Sequence, residues 1–268
     1  MKILFVNAPF VRYKNNSPER DLRIRKNNSL LKIIALNQRL KIPALSTVLN
    51  HIFAFSGYSF GVRAGSRWPW STPAPHGGKP YPFIMGYAAS YLEKEGFRVN
   101  ILDAIAEEQF IYQDFLEEVK KERADIVVIE CSTPTIDIDL WMAKEISKFS
   151  EVALAGPHLV GDCTKIQKDN PQIKYFLKGE YILSSLKMAK TRKGSIYESE
   201  VVDNLDDLPY PFRKHSVTKE YYDPMMPTKK PQLWVYASKG CPFRCSFCLW
   251  PATMFKRKFS MRAPKNIA

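Results

Sequence analysis

Four consecutive apolar residues, Ile126-Val127-Val128-Ile129, constrain this chain more than any other stretch. No polar residue alternates with them, so a strand formed here is covered on both faces. Comparable short runs recur at Lys2-Ile3-Leu4-Phe5-Val6-Asn7, Val99-Asn100-Ile101-Leu102, Val152-Ala153-Leu154-Ala155 and Ile173–Leu177. Between them the apolar residues fall at helical spacing. Ile84, Tyr87, Ala88, Tyr91 and Leu92 mark one helix, which Gly96 is placed to stop. Residues 111–122 form a second, with Phe115, Leu116 and Val119 inward. Asp137 or Asp139 can cap a third that runs to about Phe149. A short helix before Ile173 and another near Tyr181–Ala189 complete the series. Strand and helix in alternation, with the strands buried, predict an α/β fold built on a doubly wound parallel sheet.

Ligands of such sheets sit beyond the carboxyl ends of the strands. Those ends are Ala8-Pro9, Asp103-Ala104, Cys131-Ser132-Thr133-Pro134, Gly156-Pro157-His158 and Gly179-Glu180. None is a G-x-G-x-x-G or a Walker loop, which disfavours dinucleotides and nucleoside triphosphates. Ser132 and Thr133 suit hydrogen bonds to a cofactor, or merely start the next helix. His158 is placed either to touch a ligand or to be an ordinary hydrogen-bonded histidine.

At 268 residues the chain is long enough for a sizeable core. Met1-Lys2 runs straight into Ile3-Leu4-Phe5-Val6, too short a core for a signal peptide. Five cysteines, three of them clustered, argue against a secreted disulfide scaffold and for a reducing, cytoplasmic setting. The net charge of +13 is local: residues 1–50 hold ten Lys/Arg against two acids, and residues 251–268 hold five against none. Two patches do not make a basic domain, and no RNA-binding motif accompanies them, so nucleic acid is not an expected partner.

Residues 10–62 interrupt the alternation as an atypical insertion. Leu30, Leu31, Ile33, Ile34, Leu36 and Leu40 suggest a helix that Pro43 ends, and Ile42 to Val62 carries no charged residue. A buried insertion is the expected reading, with membrane-surface association as the alternative. Residues 63–82 read as a loop, in which Arg63, Arg67 and Trp68 could line a site or simply pack. Residues 196–231 are proline- and acid-rich, as in a linker laid over a surface.

Near the end, Gly240-Cys241-Pro242-Phe243-Arg244-Cys245-Ser246-Phe247-Cys248 spaces three thiols as C-x3-C-x2-C after the strand-like Leu233-Trp234-Val235-Tyr236-Ala237. Three thiolates on one tight loop can hold three irons of a cubane cluster and leave the fourth without a protein ligand. Structural zinc normally wants four ligands, and no suitable fourth lies nearby. Cys131 and Cys163 are expected to be ordinary core or loop thiols.

This loop, preceded by an open α/β domain and the linker Leu205-Asp206-Asp207-Leu208-Pro209, resembles the cobalamin-binding radical S-adenosylmethionine proteins. The Cys248-Leu249-Trp250-Pro251 ending and the Gly65-Ser66-Arg67-Trp68-Pro69 stretch look most like hopanoid-associated members. The resemblance implies a flavodoxin-like cobalamin domain over residues 1–195, a linker over 196–231, and the start of a radical SAM partial (β/α) barrel over 232–268. It implies a 4Fe-4S cluster on Cys241, Cys245 and Cys248, S-adenosylmethionine on the open iron, and Phe247 near its adenine. Ser132, Thr133, Gly156, Pro157, His158, Gly179 and Glu180 would face the corrin. The implied reaction is methyl transfer to an unactivated carbon of a small-molecule or lipid precursor, with an electron donor such as flavodoxin or ferredoxin. The alternatives are radical cyclisation or rearrangement, and for this chain alone an inert cobalamin carrier.

Three departures qualify the resemblance. The D-x-H-x-x-G motif of classical cobalamin domains is absent, so no histidine from it is expected at the lower corrin face. Ser260 stands where relatives often carry Arg. Finally, 20 residues follow Cys248, whereas one β-α-β unit needs ~30, so a fragment or truncated product is expected.

Overall fold

In a computed structural model of the protein, the described residues are 1–13, isolated positions between 33 and 55, 57–65, 67–72, and 78–267 apart from 195, 224, 225 and 227. The main sheet has six strands: β1 (Lys2–Asn7), β5 (Arg98–Asp103), β6 (Ile126–Glu130), β7 (Glu151–Gly156), β8 (Tyr175–Lys178) and β9 (Ile196–Tyr197). They lie in the order β5-β1-β6-β7-β8-β9, and every neighbouring pair is parallel. The first five follow the 2-1-3-4-5 order of flavodoxin-type sheets. The chain leaves β1 towards β5 on one side and returns to β6 on the other. The topological switch point therefore lies between β1 and β6.

Alternate residues of each strand feed two apolar layers. Leu4, Val6, Val127, Ile129 and Leu154 pack with Phe115 of α2 (Tyr112–Lys121), Met142 of α3 (Ile136–Ile146) and Ile166 of α4 (Leu159–Asp169). Ile3, Phe5, Val128, Ala153 and Tyr175 pack on the other side with Tyr87 of α1 (Phe83–Lys94) and Met188 of α5 (Ile182–Thr191). Burial on both faces is what the uninterrupted apolar runs required.

Several local expectations change. Neither Asp137 nor Asp139 caps α3: Thr135 stands at the N-cap position, Asp137 holds Arg12 at 2.8 Å, and Asp139 is buried. The sheet also runs two residues into the expected linker, as β9. Residues 63–82 are not all loop. β2 (Val11–Tyr13), β3 (Tyr58–Ala64) and β4 (Arg67–Thr72) form a separate antiparallel sheet of three strands. The helix expected over Leu30–Leu40 lies, isolated positions apart, outside the described residues. No helix among the described residues is long and apolar enough to cross a membrane.

The linker packs closely, with Leu205, Leu208, Phe212 and Tyr221 buried in the α1 and α5 layer. Leu233–Ala237 is irregular rather than a strand. Its Tyr236 stacks on Tyr87 with ring centroids 4.8 Å apart, and the Tyr236 N–H donates to the Tyr87 hydroxyl at 2.7 Å. A side chain has taken the donor that a ladder would have used. The strand before the cysteines is instead β10 (Ser238–Gly240), paired antiparallel with β11 (Phe259–Met261) around the short helix α6 (Trp250–Thr253). From β10 the chain passes through the cysteine loop into α6 and then β11.

Candidate functional site

Polar side chains that would be costly to bury singly are gathered at the carboxyl ends of the strands. Asn7, Asp103, Glu130, Ser132, Asp139 and Glu180 are all buried there; Ser132 pairs with the nearby Thr135, and each of the others has a partner from another element. At the switch point the Arg63 guanidinium reaches down from β3. It donates to both Asp139 oxygens, at 3.2 and 3.0 Å, and to the Ala8 carbonyl at 2.9 Å. Burial pushes the Asp139 carboxyl up, and the guanidinium opposes the shift. Thr135 adds a hydroxyl donor to Asp139 at 2.5 Å.

On the β5 side, Asn7 donates to Asp103 at 2.8 Å, and the Tyr221 hydroxyl donates to the other Asp103 oxygen at 3.0 Å. His215 Nε2 lies 2.7 Å from the same hydroxyl. With the tyrosine proton directed at Asp103, that nitrogen is the donor. Burial raises Asp103 to about 6 and lowers His215 to about 4. Glu107, bonded by Ser216 at 3.1 Å, is raised by burial to about 7. These contacts fasten residues 215–221 to the edge of the sheet. Sequence reading passed over them, although Asp103 ends an apolar strand and so marked the place.

The candidate cofactor residues divide into two sets. Thr133 is exposed and its hydroxyl lies 3.1 Å from His158 Nδ1, so these two and the half-buried Pro157 form a rim open to solvent. Ser132 is buried beneath, its hydroxyl 2.9 Å from that of Thr135. Gly156 has φ +124°, and a Cβ there would stand 2.6 Å from the Cys131 carbonyl. Gly179 and Glu180 face the chain itself. A Cβ on Gly179 would strike the Thr253 carbonyl of α6, and Glu180 is ion-paired with Lys239 of β10, both buried. Burial moves Glu180 up and Lys239 down, while their mutual attraction opposes both shifts. A ligand on this face therefore has an open rim at β6 and β7, and a cysteine-bearing segment already seated at β8. Arg63 is structural in its contacts; the side chains of Arg67 and Trp68 lie outside those described.

Cys245 is exposed, and Cys241 and Cys248 are half-buried, on a loop turned by the Cys248 N–H donating to the Cys245 carbonyl at 3.2 Å. Arg257 reaches the Phe243 carbonyl at 3.4 Å. Among the described residues no three His, Cys, Asp or Glu side chains converge on one point as a single metal ion needs. A cubane asks for less convergence, because each thiolate meets its own iron. Three accessible thiols on one loop, with no carboxylate among them, are a donor set that fits such a cluster. Phe247 is 87% exposed beside Cys248, an aromatic face with nothing yet against it. Cys131 and Cys163 are buried in the α/β layers, as expected of ordinary thiols.

No family model matches the chain, and no solved structure matches it. The chain is similar to an uncharacterized methyltransferase of Pyrococcus horikoshii, with 25% identity over 189 residues. The match takes in 62% of this chain and 40% of the relative's length.

Proposed function

We propose that the whole protein is a cobalamin-dependent radical S-adenosylmethionine methyltransferase acting on an unactivated carbon of a small-molecule or lipid precursor. The observation that carries this reading is the C-x3-C-x2-C loop, mounted on the β10–β11 ribbon against the carboxyl edge of a doubly wound sheet. Similarity to an uncharacterized methyltransferase supports methyl transfer as the reaction type. When bound, the cluster supplies an electron that splits the sulfonium of S-adenosylmethionine, and cobalamin carries a methyl group. Cys241, Cys245 and Cys248 would hold the cluster by three of its irons. Phe247 would offer its free face to the adenine. Thr133, Pro157 and His158 would meet the edge of the corrin, over turns shaped by Ser132 and Gly156. Gly179 and Glu180 would act by position, fixing how far the cysteine loop stands from that rim. The partner this reading needs is an electron donor of the flavodoxin or ferredoxin kind.

Anaerobic reconstitution of the full-length protein with iron and sulfide tests the reading. About four irons per chain, broad visible absorption and 5′-deoxyadenosine formed from S-adenosylmethionine are expected. Cys241→Ser, Cys245→Ser and Cys248→Ser should each lose the iron, while Cys131→Ser and Cys163→Ser keep it. Zinc in place of iron would overturn the assignment. Deuterium absent from the product after turnover with methyl-labelled S-adenosylmethionine would replace methyl transfer by a rearrangement.

A further inference from the structure

The crevice between the carboxyl ends of β1 and β6 is where a sheet of this order takes its ligand. In this protein the crevice is filled by Arg63 of β3, whose side chain is 0% exposed. Two features set this apart from ordinary core packing. First, among the described residues the β2–β4 sheet that carries Arg63 shares no strand pairing with the main sheet. At the crevice its contacts are Arg63 to Asp139 and Ala8, and the Asn7 side chain to the Arg63 carbonyl at 3.1 Å. Val11, Tyr58 and Phe60 anchor the sheet in the apolar layer of α2 and α3, and Arg12 pairs with Asp137. Second, the fit is incomplete. Arg63 Nε and Asn7 Oδ1 are both buried without a hydrogen-bond partner, one a donor and one an acceptor, on two residues already joined by a bond. Unsatisfied buried groups are uncommon, and two on bonded residues mark a place where polar partners belong. A buried ion pair is also a weak device for stability alone, since apolar residues of the same volume often serve as well.

We propose that the Arg63–Asp139 pair is a latch: while it holds, the β2–β4 sheet closes the switch-point crevice, and the ligand of the α/β domain enters when it parts. This rests on reading that domain as cofactor-binding. The ligand gains the donor and acceptor that the closed state leaves unused, on Arg63 and Asn7. Because only the open form is competent, apparent affinity scales with the open fraction, and weakening the latch tightens binding.

Cys131 reports opening without any ligand. It directly follows β6 beside the crevice, is buried, and feels the charges of Asp139 and Arg63. Cys163, buried on α4, serves as the reference for general unfolding. The full chain would be alkylated with N-ethylmaleimide and each cysteine followed by peptide mass spectrometry. Arg63→Met and Asp139→Asn should raise Cys131 labelling about tenfold and leave Cys163 unchanged. The paired variant Arg63→Met/Asp139→Leu, which leaves no lone charge, should do the same. Unchanged Cys131, or Cys131 and Cys163 rising together in all three variants, would overturn the latch and make the pair a fold-stabilising contact. Hydroxocobalamin uptake, read by visible absorbance, is the second measurement. Faster uptake by Asp139→Asn, which keeps the Arg63 side chain, is expected. Selective Cys131 opening with no uptake by any form would leave the latch standing and remove the cobalamin reading.

Discussion

The Lys239 ammonium lies against the Glu180 carboxylate with the two side chains 2% and 1% exposed. Lys239 stands two residues before Cys241, and Glu180 follows the end of β8, so one buried pair ties the cysteine loop to the sheet. Lys239 meets Oε1 while Glu180 Oε2 has no hydrogen-bond partner, so the pairing is the carboxylate's main compensation for burial. Lys239→Met leaves that charge alone and should destabilise the protein by about 3–5 kcal/mol. Adding Glu180→Leu should recover most of the loss. Urea unfolding of Lys239→Met, Glu180→Leu and the double variant decides this: a double variant whose loss equals the sum of the single losses would show that the two groups act independently.

Asp103 gives the protein a stability that weakens as pH rises. Its folded value, about 6, lies above the ordinary 3.8, so the native state binds its proton more tightly than the unfolded chain does. The contribution is complete below pH ~4 and is lost as pH climbs through about 6. His215 works in the opposite sense. Its value is lowered to about 4, so the unfolded chain takes the proton first, and stability from neutral His215 grows between about pH 4 and 6.5. The two partly cancel in the wild type. Asp103→Asn removes the acid and keeps an acceptor for Asn7, so its unfolding free energy should rise more steeply with pH over that interval. Parallel pH profiles for wild type and variant would contradict the assignment.

The parallel sheet was legible because Ile126–Ile129, Val152–Ala155 and Ile3–Val6 carry burial on both faces in their composition, and no partner had to be known. The β2–β4 sheet was not legible. Its strands include Arg63, Gly61 and Pro69, which break the apolar pattern, and what holds Arg63 is a carboxylate 76 residues away. The same limit hid the strand before the cysteines. Leu233–Ala237 has strand composition, but the Tyr236 N–H is taken by the Tyr87 hydroxyl, 149 residues away. At the candidate site, the cysteines and the strand-end turns could be read from spacing. That Gly179 and Glu180 hold the chain's own segment could not, because both contacts are long-range.

Gly179 offers a direct measure of how firmly that segment is seated. Its φ is +61°, and a Cβ would run into the backbone carbonyl of Thr253, which cannot swing aside as a side chain would. Gly96 is the control, with φ +86° and nothing within 4 Å of the same added atom. Gly96→Ala should therefore cost only the left-handed strain, about 1–2 kcal/mol. Gly179→Ala carries the same strain and also forces α6 off the end of β8. The exposed Lys256-Arg257-Lys258 turn, which follows α6, reports the difference. Trypsin should cut there severalfold faster in Gly179→Ala than in Gly96→Ala when both are compared at equal global stability in urea. Equal cutting rates would mean that α6 is held without the close approach at Gly179, and that the ribbon and its ion pair alone seat the cysteine loop.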